Sequence, residues 1–145
     1  MLKFTKILCP VDFDRNSAAA LHFAYKLLDL GGILYLLHVI PKIQRFASEP
    51  YPSVIELAQQ NLEHFARNEI GDQIVHELLV REGNPAGVTV HLAQELGAEL
   101  IVMATHGHKG FVRIVLGSVA EQVLREARCP VLTLRPAPST QPASA

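Results

Sequence analysis

The sequence has no long apolar segment and no concentration of positive charge. Its longest apolar run, Ile33–Leu37 followed after His38 by Val39–Ile40, is far shorter than the roughly 20 residues of a membrane-spanning helix. The formal net charge is −1 and no run of Lys and Arg occurs, so we expect neither a nucleic-acid partner nor a membrane partner. The N-terminus lacks the apolar core and the cleavage site of a secretory signal, which predicts a cytoplasmic protein.

Cysteines and familiar catalytic motifs are also scarce. Cys9 and Cys129, each directly before a proline, are too few for a disulfide framework or a metal site, and we expect small buried side chains. His106 and His108 form a His-x-His pair without an obvious third ligand, so we predict no metal site. No G-x-S-x-G elbow, G-x-x-x-x-G-K-[ST] loop or G-x-G-x-x-G fingerprint occurs, which argues against common hydrolases, P-loop proteins and dinucleotide-binding enzymes.

What the chain does contain is an alternation of short apolar runs with segments of helical periodicity. Its 145 residues are 49% hydrophobic, enough for one domain, which we place at residues 1–136, with a disordered tail at 137–145. The order of elements is β-α-β-α-β-α-β-α-β, which predicts an α/β fold: an open five-stranded parallel sheet with helices on both faces. The predicted strands are Lys6–Val11, Ile33–Ile40, Ile74–Val80, Leu100–Ala104 and Cys129–Leu134.

The helices are predicted from their apolar stripes and their end signals. The first has cap candidates in Asp14, Asn16 and Ser17 and a stop at Gly31–Gly32. The second runs from about Pro52–Ser53 to Asn68 after a loop at residues 41–52, the third ends before Gly97, and the fourth begins at Ser118. The predicted stripes are Ala18, Leu21, Tyr25 and Leu28; Val54, Ala58, Leu62 and Phe65; Val88, Leu92 and Leu96; and Ala120, Val123, Leu124 and Ala127.

Two strand ends predict a ligand site, because open α/β sheets bind ligands beyond the carboxyl ends of their strands. The first strand ends in Pro10-Val11-Asp12, which places a carboxylate at the rim of the sheet. The fourth leads through a glycine-containing loop to Gly117–Ser118, where free N–H groups at the start of a helix suit phosphate. Ser118 and Glu121 also form a capping-box pattern, so the alternative that this segment only caps a helix stays open.

The residues at these strand ends resemble a known family. Residues 101–124, IVMATHGHKGFVRIVLGSVAEQVL, resemble the ATP-binding signature of universal stress proteins, Gly-x2-Gly-x9-Gly-Ser/Thr, with Gly107, Gly117 and Ser118 at the last three fixed positions. Residues 7–13, ILCPVDF, resemble the family's first strand, and residues 129–135, CPVLTLR, its last. The resemblance implies a Rossmann-like sheet of the nucleotide-binding α-hydrolase type.

The resemblance also implies a role for each residue of the site. Adenine is expected near Asp12 and Val39, with Met103 and Ala104 flanking the ribose. Gly107 lets the loop pass close to the triphosphate. Phosphate and ribose contacts are expected from the start of the last helix, at Gly117, Ser118, Val119 and Ala120. Magnesium is expected only through the phosphates, without a protein cage.

Two positions depart from the family's pattern. Ala104 stands where the first glycine of the signature belongs, and His108, followed by Lys109, stands where the loop's basic residue is common. Lys109 and Arg113 are interpreted as solvated loop residues rather than as cations that clamp a phosphate, and no base is visible for phosphoryl transfer. We therefore predict a binding protein rather than an enzyme, with slow ATP hydrolysis left open.

The sequence therefore predicts an ATP-binding, nucleotide-responsive regulatory or stress-response protein. The last strand, Val131–Leu134, is short and apolar and is expected at a sheet edge, which predicts a homodimer through that strand, as in the family. Two alternatives remain open: a dimeric interaction module of the same fold that binds no nucleotide, and a weak ATPase. The protein partners are unknown.

Overall fold

The computed structural model describes residues 3–42, 51–72, 76–105 and 117–135. Gly107, His108, Lys109, the 137–145 tail and most of the predicted loop at 41–52 lie outside these ranges. Within them, strands and helices alternate as predicted. The elements are β1 (Phe4–Pro10), α1 (Arg15–Leu27), β2 (Leu28–Ile40), α2 (Tyr51–Ile70), β3 (His76–Glu82), α3 (Pro85–Leu96), β4 (Leu100–Ala104), α4 (Ser118–Glu126) and β5 (Val131–Leu134).

The five strands form one sheet in the order β3-β2-β1-β4-β5, and every recorded pairing is parallel. β1 therefore lies at the centre, with β2 on one side and β4 on the other. The strand order reverses between β1 and β4, which is where a crevice opens in folds of this kind. The predicted parallel α/β sheet is confirmed.

Apolar side chains fill both faces of the sheet, as the continuous apolar strands predict. One buried cluster joins alternate residues of the central strands to α1 and α2; the other joins the intervening residues to α3 and α4. In β1, for example, Ile7 and Cys9 belong to the first cluster and Leu8 to the second. Burial raises the pKa of the Cys9 thiol to about 12, so this cysteine is a core side chain, as expected. Cys129 is only half-buried.

The predicted end of the first helix is wrong. α1 ends at Leu27, and Leu28 already pairs with Phe4 at the start of a β2 that is longer than predicted. The predicted stop, Gly31–Gly32, lies inside that strand, where the register of pairing shifts and Gly31 has a φ of 81°. A Cβ on Gly32 would lie 2.9 Å from the carbonyl oxygen of Thr5. These glycines therefore allow an irregular strand to pass close to its neighbour. In the sequence, the same Gly-Gly pair looks like the end of a helix.

The helix stripes were predicted only in part. In α1 the buried residues are small, Ser17, Ala20, Leu21 and Ala24, and the predicted Tyr25 is 49% exposed. Val54 in α2 and Leu124 in α4 are likewise exposed, and Ala127 follows the last turn of α4. Ala58 is buried, and the other predicted positions pack into or against the two clusters. α3 ends as predicted at Gly97, which adopts a left-handed conformation with a φ of 68°. None of the described helices is long and apolar enough to cross a membrane.

Candidate functional site

The predicted carboxylate, Asp12, lies just beyond the end of β1. The N–H of Val11 donates to the carbonyl of Leu37 at 2.8 Å and so extends the ladder beyond Pro10. The last recorded pair of β1 and β2 is Pro10–Leu37. Asp12 and Val39 each follow that pair by two residues, at the carboxyl end of β1 and near that of β2.

The Asp12 side chain is partly exposed, and its surroundings disfavour the ionised carboxylate. Its side chain remains accessible to solvent, while partial burial and the nearby Asp14 carboxylate raise the pKa of the Asp12 carboxyl above its usual value. His38 acts in the opposite direction on that pKa. A carboxylate kept in a site that disfavours its charge is more typical of a functional group than of a structural one.

Asp14 is the cap of α1, as one of the three predicted candidates. Its Oδ1 atom accepts from the backbone N–H of Ser17 at 2.7 Å. Its other oxygen, Oδ2, is buried and has no hydrogen-bond partner among the described residues. The turn between Asp12 and α1 is therefore closely packed around acidic groups.

Phe13, between the two aspartates, has a φ of 65° and is the one non-glycine among the described residues in the left-handed region. That conformation costs roughly 1–2 kcal/mol for a residue with a Cβ. Its ring packs on the imidazole of His38 with centroids 4.4 Å apart, and edge-on to Phe65 at 5.6 Å. These contacts offset the strain and hold the turn in one shape.

The second half of the site is the junction of β4 with α4. Thr105, directly after β4, receives a 2.8 Å hydrogen bond at its carbonyl from the N–H of Gly117. The N–H of Thr105 in turn donates to Leu134 of β5 at 2.9 Å. The first turn of α4 is thereby held at the carboxyl end of β4, the strand that neighbours β1 at the order reversal.

The predicted capping box does not form. Gly117 is the N-cap residue of α4 and Ser118 is the first residue inside the helix, so no side chain caps this end. Gly117 also uses its own N–H on Thr105, whereas the sequence predicted that it would be free. Helix geometry leaves three N–H groups without an intrahelical acceptor, those of Ser118, Val119 and Ala120. This end of the helix can therefore receive an anion.

Only some of the predicted site residues have side chains that can reach a ligand. Val11, Met103 and Ala120 are buried in the core, so their backbone groups alone are available. Asp12 and Ser118 are exposed, and Pro10, Val39, Ala104 and Val119 are half-buried. Ala104 ends an extended strand with a negative φ, so its methyl group strains nothing.

The sequence analysis gave no role in the site to three residues next to Asp12: Phe13, His38 and Ser17, the last of which it named only as a cap candidate. His38 received no role in the sequence analysis, although it interrupts the longest apolar run of the chain. That interruption was the available signal, since a strand buried on both faces has little reason to carry an imidazole. Phe13 and Ser17 gave no signal, because their roles come from the conformation of the turn.

A separate groove of about 400 Å³ lies beside the far edge of the sheet, between the end of β3 and α3. It is lined by Arg81, Glu82, Asn84, Gly87, Val88, His91, Leu92 and Glu95. Its two glutamates outnumber its one arginine, so this groove is poorly suited to an anionic ligand. Among the described residues, no cluster of three or more potential ligands could hold a metal ion.

The fold is a doubly wound α/β sheet in which Asp12 follows the end of β1 and the N-terminus of α4 is bonded to Thr105 at the end of β4, the neighbouring parallel strand. Residues 3–135 match the sequence model of the Universal stress protein family. The chain belongs to the universal stress protein family, as the resemblance of its strand ends predicted.

Individual relatives support this membership. Universal stress protein MJ0531 of Methanocaldococcus jannaschii is 34% identical over 143 residues, covering 91% of this chain and 82% of that protein. Among solved structures, the M. jannaschii protein MJ0577 is 27% identical with a TM-score of 0.83, covering 95% of this chain and 100% of that one. A universal stress protein in complex with cAMP shares the fold at 20% identity with a TM-score of 0.68, covering 92% of this chain and 98% of that one.

Proposed function

We propose that this protein binds ATP at the crevice between the ends of β1 and β4 and acts as a nucleotide-responsive regulatory or stress-response factor. The observation that carries the proposal is the hydrogen bond between Gly117 and Thr105, which holds the N-terminus of α4 at the end of β4. The neighbouring strand at the order reversal ends in the Asp12 carboxylate.

Each half of this arrangement suits one part of ATP. The three N–H groups at the start of α4 and the positive end of its dipole favour phosphate oxygens. Gly117 has no side chain to obstruct them. Asp12 accepts hydrogen bonds from the ribose hydroxyls or the adenine amino group, next to the backbone of Val39. The universal stress protein solved with cAMP illustrates that this fold can hold an adenine nucleotide.

We propose binding rather than turnover. Phosphoryl transfer needs a group that orients the attacking nucleophile, and the described site offers only Asp12, which we assign to the nucleoside end. Magnesium then enters with the phosphates and takes its ligands from them and from water. The proposed location of the protein is the cytoplasm, where ATP is abundant.

We also propose a homodimer through β5. This strand lies at the edge of the sheet, and its four residues, Val131–Leu134, are only half-buried in the single chain. An apolar edge strand with unpaired backbone groups favours pairing with a second copy. A dimer would cover it.

Titration calorimetry of the purified protein with ATP tests the proposal, together with mass spectrometry of small molecules released from the native protein. We expect saturable binding of ATP and weaker binding by Asp12→Ala. Inorganic tripolyphosphate is the control ligand: its affinity should be unaffected by Asp12→Ala, because Asp12 is assigned to the nucleoside. No ATP binding by the wild-type protein would reject the proposal and favour the alternative, a dimeric interaction module without a nucleotide.

A further inference from the structure

The peptide group that joins Val11 to Asp12 is held by a side chain at each of its two polar atoms. The carbonyl oxygen of Val11 lies 2.9 Å from Nδ1 of His38. The N–H of Asp12 donates to Oγ of Ser17 at 2.7 Å. Because these two bonds point in opposite directions from one planar group, they fix its rotation about the chain.

His38 can make its bond in only one way. A carbonyl oxygen accepts and never donates, so Nδ1 of His38 carries the proton. The Phe13 ring lies against the imidazole at 4.4 Å and restricts its rotation. His38 therefore presents its donor from β2 in a fixed direction to the end of β1.

Ser17 is equally constrained. It is 4% exposed, and its backbone N–H is bonded to the capping Asp14 in the first turn of α1. Its hydroxyl faces the Asp12 N–H because the helix start is fixed by that cap. The end of β1 is thus held from β2 on one side and from α1 on the other.

We propose that His38 and Ser17 are positioning residues that aim the Asp12 carboxylate at the nucleotide. The proposal rests on the proposed function and adds two residues to it that touch no ligand. With this peptide held at both polar atoms, the backbone before Asp12 is fixed; without these bonds a change in φ of Asp12 would redirect its side chain and move the carboxylate away from the proposed ligand.

Calorimetry with ATP and with tripolyphosphate, on matched variants, tests this role. His38→Leu removes the donor with a similar volume, and His38→Asn keeps an N–H at the position of Nδ1. We expect His38→Leu and Ser17→Ala each to weaken ATP binding about ten-fold, and His38→Asn to stay within about three-fold of wild type. Tripolyphosphate affinity should not change in any of them.

A double-mutant cycle separates positioning from a general loss of structure. In an Asp12→Ala background, His38→Leu should weaken ATP binding no further, because there is no carboxylate left to aim. The positioning role would be overturned if His38→Leu lowered ATP affinity equally in both backgrounds, if it lowered the affinities for ATP and tripolyphosphate equally, or if it bound ATP with wild-type affinity. None of these results would contradict ATP binding by the wild-type protein.

Amide hydrogen exchange gives a readout that does not depend on any ligand. The Asp12 amide should be protected in the wild-type protein and should lose protection in Ser17→Ala and His38→Leu, while the buried Ile101 amide in β4 keeps its own. Unchanged protection of Asp12 would overturn the proposal. If the wild-type protein bound no ATP but the Asp12 amide showed this pattern of protection, the proposed ATP function would be rejected, whereas the two hydrogen bonds that hold the Val11–Asp12 peptide would be supported.

Discussion

Gly117 and Thr105 are joined by a backbone hydrogen bond of 2.8 Å, although eleven residues separate them in the chain. The bond uses the N–H of the N-cap residue, and the N–H groups of the next three residues have no intrahelical acceptor. It therefore fixes the position of the proposed phosphate site without help from a capping side chain. The φ of Gly117 is −62°, which suits any residue, so in the proposed site the glycine matters only for its lack of a side chain.

Gly117→Val should abolish ATP binding with little loss of stability. The branched side chain would occupy the approach of the phosphates, while the extended conformation at this position accepts valine without strain. Calorimetry measures the affinity, and thermal unfolding checks the fold. Gly117→Ala, which adds one methyl group, should bind with intermediate affinity. Wild-type affinity in Gly117→Val would remove this turn from the site.

Ala104→Gly should change ATP affinity by less than about ten-fold, because Ala104 already has the extended conformation that alanine tolerates. Ala104→Leu should prevent binding, since a large side chain at the end of β4 would fill the crevice. Both affinities come from ATP titration. If the wild-type protein binds nothing and Ala104→Gly restores binding, the methyl group has removed the ATP function. If Ala104→Leu binds normally, the nucleotide lies elsewhere.

Asp12→Asn should make the protein more stable at neutral pH. The native pKa of Asp12 is raised above its ordinary 3.8 by burial and by Asp14, so the folded protein binds the proton more tightly than the unfolded chain does. Stability contributed by the protonated form is lost as the pH rises through the native pKa, and asparagine does not titrate. Urea unfolding at several pH values should show the advantage of Asp12→Asn above that pKa and its disappearance below about pH 3.8. An advantage that persists unchanged in acid would contradict this.

Glu99→Gln should have the opposite effect. The Glu99 carboxylate accepts hydrogen bonds from the hydroxyl and N–H of Thr5 and from the N–H of Lys6, which lowers the pKa of Glu99. That stabilisation is present above the ordinary pKa of 4.5 and is lost as the pH falls through the lower native value. The same urea series should show Glu99→Gln less stable than wild type at neutral pH, with the two converging in acid. A constant difference at every pH would show that the charge of Glu99 is irrelevant.

Thr133→Pro should shift the proposed homodimer toward monomer. The carbonyls of Pro130 and Leu134 accept from β4, and because backbone groups alternate along a strand, the N–H of Thr133 faces the free edge. Proline there removes a donor to a second copy without breaking the β4–β5 ladder. Light scattering at micromolar concentration measures the mass, with Thr133→Ala as the control that keeps the N–H. A monomeric wild-type protein would exclude the dimer.

The local sequence pattern predicted those features of the fold that depend on a single strand or helix. The apolar runs predicted the parallel sheet, because a strand covered on both faces must be apolar throughout. Asp14 and Gly97 were recognisable as helix ends, since capping depends on neighbouring residues only. The Gly31–Gly32 prediction failed because pairing of Leu28 with Phe4 outweighed the local signal for a longer helix.

The sequence alone determined the family, the fold class and the residues at the two strand ends, because those depend on residue type and spacing. Only the tertiary structure decided which groups meet. It gave the Gly117 N–H to Thr105 instead of leaving it free, and it placed His38 and Ser17 on either side of one peptide group. Each of these depends on the register between strands or on the packing of a helix against the sheet, and contacts between distant segments leave no periodic trace in the sequence.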